Sequence, residues 1–153
     1  MYDQARISDR PCSYQASCSS KSSFSSSEGN CSADLVVCER ESDLPIVVFE
    51  CKGGANISNI EKGMIQLVSY GLSLQHKRKL AHSVKLVLIT PRTWYVATVP
   101  PYQTEISEIR FMNYVMLKKT ENETFFDRKA YIAFLIELRQ HFESVSQQFS
   151  SQK

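Results

Sequence analysis

The sequence predicts an α/β (or α+β) domain: a mixed sheet with helices packed on it. Three observations predict this. Short runs rich in β-branched residues, at 35–38, 46–52 and 84–90, read as strands. A stretch of helical periodicity from 56 to about 75 separates the second run from the third, as in a crossover between parallel strands. A second amphipathic stretch follows residue 127. The chain has 153 residues, 42% hydrophobic and 22% charged, which suits one domain with a real core.

Residues 1–32 are poor in large apolar side chains, and eight of the eleven positions from Ser17 to Ser27 are serine. They read as a flexible leader, with a short polar edge strand within Lys21–Ser27. The expected domain spans 33–148, and 149–153 is expected to be a tail. Leu35-Val-Val-Cys38 and Ile46–Lys52 flank a turn cluster at Arg40–Pro45. The short gap favours an antiparallel hairpin. Gly53-Gly54 ends the second strand, and Asn56 or Ser58 can cap the helix that follows. Ile57, Ile60, Met64, Leu67, Val68 and Leu72 mark its expected buried face, and Gly63 and Gly71 count against its helix propensity.

Val84–Thr90 reads as a central strand, Trp94–Val99 as its neighbour, and Phe111–Leu117 as a further strand. The last helix is expected from Thr124 or Asp127 to about Gln147. Its stripe is Tyr131, Phe134, Leu135, Leu138, Phe142 and Val145.

Net charge is +2, but from Lys62 to Thr104 there are six basic residues and no Asp or Glu. That asymmetry suits a polyanionic partner or, more simply, a solvated basic loop. No apolar run is long enough to cross a bilayer, and the charged N-terminal segment does not resemble a secretory signal. The expectation is an intracellular protein, nuclear or cytoplasmic, with no membrane partner. Five cysteines without a CxxC pair argue against a disulfide framework or a zinc site. P-loop, HExxH and GxSxG patterns are absent.

The chemistry concentrates on two strands. Asp34 opens the first, and Glu50 and Lys52 close the second. Strand side chains alternate, so Glu50 and Lys52 share a face, and a hairpin can bring Asp34 beside Glu50. Two adjacent carboxylates repel unless a cation lies between them, and oxygen ligands suit magnesium or manganese. For Glu-x-Lys alone, a structural ion pair is the simpler reading. Lys62, Gln66 and Tyr70, four apart, add a polar stripe to the following helix.

Together, Ala33-Asp34-Leu35-Val-Val, Val48-Phe-Glu50-Cys-Lys52-Gly and Gln66-Leu-Val-Ser-Tyr70 resemble the PD-(D/E)XK nuclease superfamily. The last element is similar to the QxxxY motif of its RecB-like branch. The resemblance covers Ala33 to about Thr90. It implies a restriction-endonuclease-like mixed sheet flanked by helices, and a divalent-metal-dependent nuclease acting on nucleic acid, DNA foremost. It implies Asp34, Glu50 and the Cys51 carbonyl as ligands of Mg2+ or Mn2+, and Lys52 as the residue that orients the attacking water. Gln66 and Tyr70 would position substrate or support the metal site. Lys62, Lys77, Arg78 and Lys79 would then grip backbone phosphates.

Two departures stand out. Ala33 replaces the motif's proline, and residues 1–20 hold no Glu to match the family's N-terminal helix. Two alternatives follow: an inactive nucleic-acid-binding module on the same fold, and a protein-interaction module that is part of, or partner to, a larger protein.

Overall fold

The computed structural model describes residues 33–151, apart from Ala55 and Ser107. The Ser-rich leader with its expected edge strand, and Cys12, Cys18 and Cys31, lie outside the described residues. In chain order the elements are β1 (Leu35–Cys38), β2 (Pro45–Cys51), α1 (Ile57–Arg78), β3 (Val84–Ile89), β4 (Thr93–Val99), β5 (Met112–Val115), β6 (Leu117–Lys119), β7 (Thr124–Phe126) and α2 (Arg128–Ser151). The first five strands form one sheet in the order β1-β2-β3-β4-β5, and β6 and β7 form a separate two-stranded ribbon.

β1 and β2 are the expected antiparallel hairpin, with Leu35 facing Phe49 and Val36 facing Val48. Their turn is tied by the Glu39 carboxylate, which accepts from Glu41 N, Ser42 N and Ser42 Oγ. β2 and β3 are parallel, with Cys51 beside Ile89, and α1 forms the crossover between them. β4 and β5 add on antiparallel. The fold is thus α/β, with a five-stranded mixed sheet and two helices.

Alternation along the strands divides the core into two layers. Val36, Val48, Leu86, Leu88, Ala97 and Val99 pack with Leu67, Tyr70 and Leu74 of α1. Val37, Val47, Val87 and Val96 pack with Phe134 and Val145 of α2. Trp94 meets Phe134 edge-on, with ring centroids 4.9 Å apart.

Both helices pack most of the expected stripes on the sheet (Ile60, Met64, Leu67 and Val68 in α1; Tyr131, Phe134, Leu138, Phe142 and Val145 in α2) and differ at the margins. In α1, Ile57 and Leu72 are exposed, and the buried line is Gly63, Leu67, Tyr70, Gly71 and Leu74. The two glycines are what let α1 lie close to the sheet. A Cβ at Gly71 would stand 2.8 Å from Leu86 Cδ2 and 2.9 Å from Val99 Cγ2. In α2, Leu135 is exposed, and His141 takes part in the buried stripe with Phe134 and Val145.

The β6–β7 ribbon occupies ground expected to be loop or the start of the last helix. That helix begins at Arg128, where the Asp127 carboxylate accepts from Lys129 N and Ala130 N. It also continues to Ser151, past the expected boundary at 148, because Phe149 packs edge-on against His82.

A half-buried polar group lies under α2. Glu137 accepts from Lys85 Nζ at 2.5 Å and from the Tyr114 hydroxyl. Burial opposes the Glu137 charge, but hydrogen bonds from Lys85 and Tyr114 outweigh it and hold the carboxyl below its ordinary range. Burial and the same carboxylate push the Tyr114 hydroxyl up to about 12. His82 Nε2–H and His141 Nε2–H donate to the neighbouring Pro45 and Ile46 carbonyls of β2.

Candidate functional site

The candidate residues gather where β2 ends and α1 begins. Asp34 precedes β1 by one residue, and its N–H donates to the Phe49 carbonyl at 3.1 Å. The hairpin pairing ends with Leu35 opposite Phe49, one residue short of Asp34. Val48 belongs to the α1 layer, so Glu50, two residues on in the same strand, faces that layer too, whereas Asp34 is exposed just outside β1. Lys52 follows with the same parity. Its N–H donates to the Ile89 carbonyl, which holds the chain to β3 one residue beyond β2.

The polar contacts close around Cys51. Asp34 Oδ2 accepts from Cys51 N at 2.7 Å. Lys52 Nζ donates to Glu50 Oε1 at 2.7 Å and to Gln66 Oε1 of α1 at 2.8 Å. Glu50 is buried, at 7% exposure, so the ammonium 2.7 Å away is what makes its charge tolerable there. Burial raises the Cys51 thiol pKa, and the charges of Asp34 and Glu50 raise it further. Both carboxylates therefore act on the same residue from opposite strands.

Gly63 lets the helix approach this group. A Cβ there would lie 3.3 Å from Lys52 Cε and 2.8 Å from Leu88 Cδ1. The Asn56 side chain caps α1 by accepting from Asn59 N at 2.8 Å, and the first turn carries no acidic residue. The positive end of the helix dipole thus lies at this edge.

The structure brings together Asp34, Glu50, Cys51, Lys52 and Gln66. Lys62 is exposed one turn before Gln66. Tyr70 is one turn further on and buried in the α1-side core, among Val36, Val48 and Leu67. Lys77 and Arg78 end α1, and Lys79 is its C-cap in the left-handed region (φ 48°). At 1.5 Å per residue, that end is roughly 17 Å along the axis from Gln66. Lys77, Arg78 and Lys79 therefore stand apart from the carboxylates.

Arg92 went unassigned in the sequence reading. It lies in the β3–β4 turn, at the sheet edge that carries Lys52, because β2 and β3 run parallel and end together. That parallel pairing was the available signal.

Among the described residues, no group of three or more His, Cys, Asp or Glu side chains is arranged to hold a metal ion. None of the described helices is long and apolar enough to cross a membrane. Compared with known proteins, the chain matches no family model, no curated protein and no solved structure.

Proposed function

We propose that this chain is a divalent-metal-dependent nuclease on a restriction-endonuclease-like fold, hydrolysing phosphodiester bonds of nucleic acid, DNA foremost. One observation carries the reading. Asp34 closes on the Cys51 N–H, the flanking Glu50 and Lys52 pair with each other at the same sheet edge, and α1 reaches in through Gln66 to hold the lysine. A structural Glu–Lys pair requires neither the aspartate nor the glutamine.

The donor set suits a hard cation. Asp34 and Glu50 each commit one oxygen to the contacts above, and the Cys51 carbonyl lies between them in sequence. Magnesium needs only one or two carboxylates, because waters and substrate phosphate complete its shell. A third acidic side chain is therefore not required. A bound Mg2+ or Mn2+ would polarise the phosphoryl oxygen and acidify a bound water.

The chain's own residues do the rest. Lys52 spends two of its three donors on Glu50 and Gln66, which fixes the ammonium for charge developing on the phosphoryl group. Gln66 keeps Lys52 from collapsing wholly onto Glu50. Lys62 holds a flanking phosphate, and Tyr70 supports α1 from within the core.

The test is cleavage of labelled single- and double-stranded DNA and RNA in Mg2+ or Mn2+. Metal-dependent cleavage lost in EDTA and in Asp34→Ala is expected. Cleavage that persists in EDTA contradicts the reading.

A second reading has its own support. One oxygen of each carboxylate already has a protein partner, and two acidic side chains are few for a catalytic centre. A noncatalytic nucleic-acid-binding module on this fold would bind DNA without heat exchange in a Mg2+ titration.

A further inference from the structure

Three segments distant in sequence are joined beside the site edge. Met116 N and Leu117 N both donate to the Arg92 carbonyl, at 2.8 and 3.1 Å. Asp127 N donates to the Met116 carbonyl at 2.8 Å. These bonds bring the β3–β4 turn, the base of the β6–β7 ribbon and the start of α2 to one corner. The corner carries Arg92, Lys118, Lys119, Arg128 and Lys129, all exposed. Lys118 pairs with Asp127 at 2.5 Å, and the other four make no ion pair among the described residues. The ribbon's own acidic residues, Glu121 and Glu123, lie at its tip.

Two aromatic side chains interleave with these charges. Phe125 and Phe126 are 43% and 46% exposed on a ribbon whose register sets Phe125 directly across from Lys118. Cations for the backbone and an exposed ring for a base are the two parts of a single-strand binding surface. Duplex DNA hides its base faces and would leave Phe125 idle.

We propose that this corner binds single-stranded nucleic acid, with Arg92, Lys118 and Lys129 on phosphates and Phe125 stacked on a base, and that it leads the strand to Asp34 and Glu50. The last clause rests on the nuclease reading; the binding does not. Arg92 follows directly on the turn after Ile89, whose carbonyl receives Lys52 N. The corner packs on the α2 side of the sheet through Met116 and Tyr131, and Lys52 reaches Gln66 of α1 on the other side, so the strand would pass round the end of the sheet.

The test is fluorescence anisotropy in EDTA with a labelled oligo(dT) and a matched duplex, across a salt series. Arg92→Glu/Lys118→Glu/Lys129→Glu should weaken oligo(dT) binding at least 100-fold. It should also flatten the log K against log salt slope by about 2, near 0.7 per lost phosphate contact. Phe125→Ala should cost about tenfold on oligo(dT) and leave the duplex unchanged. Circular dichroism confirms folding, and Phe125→Ala and Arg92→Ala serve if the triple variant unfolds. Unchanged oligo(dT) affinity in the charge-reversed variant, tighter binding to duplex, or no binding at low salt overturns the proposal. Because metal is absent throughout, failure of cleavage and failure of this surface are separate outcomes.

Discussion

Removing Glu137 should unfold the protein far more readily than removing an ordinary surface carboxylate. Its partners decide the magnitude. Lys85 and Glu137 side chains are only 13% and 19% exposed, and the Tyr114 hydroxyl also ends on Glu137. Glu137→Leu leaves an ammonium and a phenol without their acceptor under α2. Breaking a buried pair from one side costs about 3–5 kcal/mol. The residual exposure here lowers that to roughly 2–3 kcal/mol, or about 6–12 °C in Tm for a domain of this size. Lys85→Met alone should cost less, because Glu137 keeps Tyr114. The double variant should recover much of the loss, since an apolar pair can replace a buried ion pair. Urea denaturation of wild type, both single variants and the double variant at pH 7 gives the coupling energy, expected at about 1–3 kcal/mol. Additive single effects, with coupling under about 0.5 kcal/mol, would refute the claim that this pair anchors α2 to the sheet.

Other outcomes follow from the same contacts. Burial, chiefly, lowers His141 to about 4, below its ordinary 6.5, with Lys85 and His82 adding to the effect and Glu137 and the Ile46 carbonyl opposing it. The folded state thus binds fewer protons than the unfolded one between those values. Stability should be full above pH 6.5 and fall toward pH 4 by on the order of 2–3 kcal/mol, a slope that His141→Gln removes in urea midpoints measured against pH. Gly71→Ala should destabilise by about 1–2 kcal/mol despite better helix propensity, because the fully buried Leu86 and Val99 must shift. Gly63→Ala should be milder in thermal melts, since Lys52 Cε and the Leu88 methyls are side-chain ends. Gln66→Ala should lower metal-dependent cleavage about 10- to 100-fold while changing Tm little, because it frees Lys52 at an exposed hydrogen bond.

The sheet was legible because β-branched runs announce strands: β1, β3 and β4 lie where Leu35–Cys38, Val84–Thr90 and Trp94–Val99 indicated. The shared face of Glu50 and Lys52 was legible too, because strand parity needs only counting. The inner face of α1 was legible in part. Ile60, Met64, Leu67 and Val68 pack where periodicity pointed, but Gly63 and Gly71 carry no apolar signal, and Ile57 and Leu72 are exposed. The β6–β7 ribbon was hidden by its charge. Leu117-Lys-Lys and Thr124-Phe-Phe are short, and the acidic turn between them looks like loop. His82 and His141 gave no motif, and only the fold shows them donating to β2 carbonyls. The Arg92 corner needed tertiary hydrogen bonds that no local pattern encodes.

The central claim is that Lys52, held by Glu50 and Gln66 beside Asp34, stabilises phosphodiester hydrolysis. The most direct measurement is the initial rate of Mn2+-supported cleavage by wild type and by Lys52→Ala of matched Tm. The account predicts a loss of about 100- to 1000-fold, the usual cost of one removed charge-stabilising donor. Equal rates in the two proteins would contradict it.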